Sequence, residues 1–232
     1  MKRNALLYAW TVVLTGLGTL LSALLLWQSQ DAWELGACVA LIAVASTFKV
    51  TLPGLKGTMT PGFVVVLVAV ATLSWTETVV IGMVSGLLQT VWRSQSRPQP
   101  LQVAFNTAVV GLAGALAHGV AYRLTSAGAV AAPSMVLALT VAGITLLVAN
   151  TLLVAAILCL LQERPLYLIF RSLQLWAFPY YLAGGLLSVV WGRVELGTSG
   201  ALMVMATVSL YLLHTCYREV MERAPAAVGV RS

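Results

Sequence analysis

Between Phe63 and Trp92 the chain reads FVVVLVAVATLSWTETVVIGMVSGLLQTVW, apolar apart from the notch Thr76-Glu77-Thr78. As a single helix this stretch would be about 45 Å long, against a hydrocarbon core of about 30 Å. It would also hold Glu77 near the bilayer centre, at a cost of about 3 kcal/mol. Dividing the stretch at the notch removes both difficulties. It predicts a tight helical hairpin, with its tip at Ser74–Thr78 directed toward the far surface and Glu77 in water or head groups. Each half is short for a full span, so the hairpin is either two short spans or re-entrant. In both cases the chain enters and leaves on the same side of the membrane.

Composition excludes an ordinary soluble domain. Hydrophobic residues make up 60% and charged residues 9%, with mean hydropathy +0.94, where soluble domains carry about 25% charged residues. The net charge of +6 does not point to nucleic acid, because the basic residues are spread singly among the loops. They read as topology signals. Lys2 and Arg3 precede an apolar run, Ala5–Trp27, that is too long for a signal-peptide core and has no clear cleavage site; it reads as a retained first helix.

The expected architecture is all-α: a polytopic membrane bundle of about eight helices over residues 1–223, with a short cytoplasmic tail, 224–232. The helices are Ala5–Trp27, Ala32–Phe48, the two hairpin halves, Leu101–Tyr122, Ser134–Leu161, one reaching Trp191 with a kink at Pro179, and Ser199–Tyr217. Residues Leu166–Phe178, with Arg171 and Gln174 among aromatics, suit an interfacial start to the seventh helix. Lys49–Gly62, KVTLPGLKGTMTPG, is a loop, because its prolines, glycines and lysines prevent a continuous apolar helix. With the N-terminus in the cytoplasm, this map puts eleven basic residues inside and two, Arg123 and Arg193, outside. That asymmetry follows the positive-inside rule, and it is lost if Phe63–Trp92 is one span. Both termini are therefore expected in the cytoplasm of a bacterial inner-membrane protein.

Gly82 and Gly86 form a GxxxG, and Gly111, Ala115 and Gly119 a small-residue ridge. Such ridges suit close helix packing within the bundle, with a homodimer face as the lesser alternative. No catalytic constellation is present, so no enzyme activity is expected. Cys38, Cys159 and Cys216 lack metal spacing. His118 and His214 fall near opposite faces of the membrane, which argues against a shared haem, and no cofactor is expected.

The polar residues that stand out are those of the 49–62 loop together with Asn106 and Asn150. Asn106 lies about one turn inside the cytoplasmic end of its helix, level with the loop at Thr58, Thr60 and Pro61. Asn150 is mid-membrane, about 10 Å away in depth, too far for the two amides to bond. Each suits either a packing role or a ligand. The candidate ligand site comprises Lys49, Lys56, Thr58, Thr60, Asn106 and Asn150. Lysines, a helix N-terminus and an amide meet there, which favours an anionic or carbonyl-bearing group.

Four segments carry a family resemblance: LPGLKGTMTPGFVVVLVAVATL, PLQVAFNTAVVGLAGALA, VANTLLVAAILCLLQERPL and the terminal YREVMER. Phe105-Asn106 and Asn150–Leu153 are its most recognisable parts. Across Val50–Arg223 the chain resembles the N-terminal multi-helix membrane module of bacterial signalling proteins that carry HD-type phosphohydrolase or GGDEF diguanylate cyclase domains. It departs from them in stopping soon after Arg223, with no output domain, and in having Lys56 and Met59 where Gly and Ser are expected. The resemblance implies a membrane sensor or ligand-binding module acting through a cytoplasmic signalling partner, with membrane lipids around it and a small molecule as its ligand. The alternative is a small-molecule transporter similar to the substrate-binding components of energy-coupling factor transporters.

Overall fold

The computed structural model describes residues 3–27, 32–51, 58–92, 94, 97–126, 135–171, 173, 181, 207–208, 211–212, 214–215 and 218–219. In chain order these form α1 (Arg3–Leu25), α2 (Ala32–Ala45), a ribbon of β1 (Val50–Thr51) and β2 (Thr58–Met59), α3 (Gly62–Thr72), α4 (Trp75–Val91), α5 (Pro100–Ser126), α6 (Met135–Gln162) and α7 (166–171). The ribbon is antiparallel, with Val50 opposite Met59 and Thr51 opposite Thr58. At two residues a strand it leaves the class all-α. The expected helices over 178–191 and 199–217, with the kink at Pro179, lie largely outside the described residues.

Among the described residues, three helices are long and apolar enough to cross a membrane: Arg3–Leu25, Pro100–Ser126 and Leu137–Gln162. They point to a multi-pass membrane protein. Each exposes large apolar side chains that water would penalise and lipid would accept, such as Leu14 and Leu21 on α1, Leu116 on α5 and Ile144 on α6.

The hairpin forms at the predicted place. α3 ends at Thr72 and α4 begins at Trp75. Leu73 and Ser74 take extended backbone, and the Ser74 hydroxyl caps α4. Eleven residues make α3 about 16 Å long, roughly half a span. Its sequence is Val, Leu, Ala and Phe on every face, and a helix apolar all round belongs in a core. Residues Gly62–Val70 are all buried, packed among α2, α4, α5 and α6.

Contacts sort the chain into two ends. Thr60, just before α3, reaches Gln89 near the close of α4, so the hairpin starts and finishes at one end, the ribbon end. Tyr8 of α1 meets Phe105 near the start of α5 and donates to the Leu153 carbonyl on α6 at 3.1 Å, placing those parts at the ribbon end too. At the opposite, break end, His118 of α5 meets Leu73, and Ala23 of α1 packs with Val79. Among the described basic residues, Arg3 and Arg97 lie at the starts of α1 and α5, Lys49 just before the ribbon and Arg164 just after α6, all at the ribbon end, whereas Arg123 lies near the close of α5 at the break end.

The glycine ridge is used inside the bundle. A β-carbon at Gly82 would stand 2.9 Å from the Val110 carbonyl oxygen, and one at Gly86 2.6 Å from that of Asn106. Met83 covers Gly111 in turn. These glycines seat α4 on α5, so Gly82, Gly86 and Gly111 are not exposed as a homodimer face.

Candidate functional site

The start of α3 is where irregular backbone meets the bundle. Pro61 precedes the helix and no side chain caps it. Gly62 lies against α4 so closely that a β-carbon there would stand 2.8 Å from Ser85 Oγ. The Thr60 hydroxyl, buried, donates to Gln89 Oε1 at 3.4 Å. One residue on, Thr90 Oγ1 accepts from Asn106 Nδ2 at 3.1 Å. Thr60 and Asn106 are thus brought to one level, as expected, through adjacent residues of α4.

Asn150 reaches the same region indirectly. Its side chain is hydrogen-bonded to the Tyr181 phenol, and Tyr181 stacks on Phe63 with ring centroids 4.0 Å apart and planes 18° from parallel. Each asparagine therefore has its own neighbour, Thr90 for one and Tyr181 for the other. Lys49 is half-buried at the mouth of the ribbon, and it makes no ion pair or hydrogen bond among the described residues. Partial burial holds its ammonium below the usual lysine range. Thr58 lies in β2, one residue before Met59; Lys56 lies outside the described residues.

Sequence reasoning missed Ser85, Gln89 and Thr90. Ser85 and Gln89 share one face of α4 at i, i+4 spacing, with Thr90 adjacent to Gln89, a signal present in SGLLQT but submerged in a run read as apolar. It also missed the aromatic side of the site, Phe48, Tyr181 and His214. Phe48 stacks on His214 at 5.4 Å and meets Tyr211 edge-on at 5.8 Å. Only tertiary structure joins those residues.

At the break end one expectation is corrected. Glu77 is fully buried, at 0% exposure, rather than in water or head groups. The reason is local. Ser74 and Glu77 form a capping box: Glu77 Oε2 accepts from the Ser74 backbone N–H at 3.0 Å and from its hydroxyl at 2.8 Å. The predicted tip, Ser74–Thr78, is the N-cap and first turn of α4 folded back onto the bundle. Thr78 Oγ1 crosses the break to the Ala69 carbonyl at 3.1 Å, and His118 Nε2 donates to the Leu73 carbonyl at 3.2 Å. Backbone groups released by the break are thus satisfied by side chains, as burial requires. The chain matches no protein-family model, no curated protein and no solved structure.

Proposed function

We propose that the protein is a membrane sensor or ligand-binding module whose ligand sits at the ribbon end, on the cytoplasmic side. The observation that carries this reading is the start of α3, a buried helix N-terminus that no side chain caps; at the ribbon end Lys49 is half-buried and makes no ion pair or hydrogen bond among the described residues. Just before it Thr60 bonds Gln89, and one residue further along α4 Thr90 accepts from Asn106. Segregation of the described basic residues to the ribbon end supports a cytoplasmic orientation. In this reading both termini are cytoplasmic, lipid surrounds α1, α5 and α6, and the signal passes to a cytoplasmic partner. The four quoted segments support the signalling class over the transporter alternative.

The test uses Lys49→Met and Asn106→Ala, scoring folded yield and retained small molecules or lipids separately by mass spectrometry of the purified protein. A ligand site predicts that Lys49→Met folds normally and loses a molecule that the wild type retains. If Lys49→Met retains everything and Asn106→Ala only lowers folded yield, these residues are structural and the site reading is wrong.

A further inference from the structure

Just beyond α6 the chain presents a face that suits neither water nor hydrocarbon. α6 closes at Gln162, and Glu163 takes a left-handed conformation, φ 54°, that ends the helix. Helix α7 starts at 166, and the Pro165 carbonyl before it accepts from the Leu168 and Ile169 amides at 3.1 and 3.4 Å. The short link keeps the start of α7 within about 14 Å of the close of α6, near the level at which a spanning α6 leaves hydrocarbon. Helical spacing sets Tyr167, Leu168 and Arg171 on one face of α7 and Ile169 on the other. Ile169 is 6% exposed, whereas Tyr167 is 64% and Leu168 54% exposed; Arg171 is exposed with them. Water would penalise the leucine and the ring, and hydrocarbon would penalise the guanidinium. The head-group layer accommodates all three.

A hydrogen bond within that face gives it a chemical preference. Arg171 Nη1 donates to the Tyr167 phenol oxygen at 3.2 Å. The tyrosine oxygen thus serves as an acceptor, its own O–H stays available to donate, and the guanidinium keeps its other N–H groups. Among the described residues neither side chain meets a carboxylate or any further hydrogen-bond partner. Arg164, just before α7, makes no ion pair or hydrogen bond among them either. Unused donors on an exposed cationic face recruit oxyanions, and a guanidinium fits a phosphate in a two-pronged geometry. A phospholipid supplies that phosphate and covers the leucine and the ring at the same time. Two arginines without a carboxylate partner favour a head group of net negative charge over a zwitterionic one. We infer that α7 is a surface anchor that binds the head group of an anionic phospholipid, with Arg171 and Tyr167 as the donors. This rests on α6 crossing the membrane and not on a ligand site at the start of α3, so either can fail without the other.

The full-length chain in vesicles of equal parts phosphatidylglycerol and phosphatidylcholine tests it. A photoreactive benzophenone side chain replaces Leu168, on the same face as the pair, and mass spectrometry of the cross-linked peptide identifies what it touches. The expected result is cross-linking to lipid, with phosphatidylglycerol enriched over phosphatidylcholine about fivefold, the ratio that about 1 kcal/mol for an arginine near an anionic surface gives. In the same background Arg171→Gln should lose most of that enrichment while still cross-linking to lipid, and Tyr167→Phe should lose part of it. Both side chains are exposed, so both variants should fold, which size-exclusion chromatography checks; Tyr167→Phe serves if Arg171→Gln does not. Lipid cross-links without enrichment, or enrichment unchanged in both variants, overturn head-group recognition by this pair. Cross-links to protein alone, or none at all, overturn the anchor itself, because α7 is then covered by protein or faces water.

Discussion

At positions 82 and 86 a hydrogen atom in place of a side chain sets how closely α4 approaches α5. A β-carbon at Gly86 would meet backbone, the Asn106 carbonyl oxygen at 2.6 Å and Thr107 Cα at 2.8 Å, and backbone cannot rotate away. Gly86→Ala should therefore cost about 1–3 kcal/mol, the usual range for overpacking. Gly119, on the same α5 as Gly111, has nothing within 4 Å of such a β-carbon. Gly119→Ala should be neutral or slightly stabilising. Thermal unfolding in detergent separates the two, and equal effects would contradict the packing described. Glu77 gives a second test at this scale. Its Oε2 accepts two hydrogen bonds from Ser74, and a glutamine keeps an acceptor that suits the same capping box. Glu77→Gln should stay near wild type, whereas Glu77→Ala should lose about 0.5–2 kcal/mol, the range for a lost cap. If Glu77→Gln is as damaging as Glu77→Ala, the charge matters rather than the cap.

The broken helix is the element on which the bundle depends. The break between α3 and α4 could be anticipated because a thirty-residue apolar run exceeds the membrane, and because a serine three residues before a glutamate is a start signal for a helix. Those are local rules, and local rules also located α1, α5 and α6 to within a few residues. Burial of Glu77 was not legible, because it depends on how far the capped turn folds back onto its neighbours. The ribbon-end cluster was half legible for the same reason. Thr60 and Asn106 stood out as polar residues in an apolar chain, while Gln89 and His214 acquire meaning only when Gln89 is placed beside Thr60 and the His214 ring on Phe48. His118 shows the break held from outside, by a bond from α5 to the Leu73 carbonyl. His118→Leu should cost about 1 kcal/mol and His118→Gln less, since an amide can still donate. Equal losses in the two variants would mean that ring packing, and not the bond, secures the hairpin.

At the scale of the whole molecule, the proposed arrangement has the ribbon end and the break end on opposite faces of a membrane. Among the described residues three helices are long and apolar enough to span, while α3 is too short to do so. The half-helix hairpin changes nothing in the parity of the chain, because it leaves by the end at which it came in. That parity gathers most of the described basic residues at the ribbon end, which is the end the proposed function assigns to the cytoplasm. The most direct test is a pair of reporter fusions, one after Ser94 and one after Ser126, using a partner active only in the cytoplasm and a second active only outside. The account predicts that Ser94 reports cytoplasm and Ser126 reports the outside. A cytoplasmic signal at Ser126, with Ser94 outside, would make Phe63–Trp92 a single crossing and contradict the hairpin on which the architecture and the site both rest.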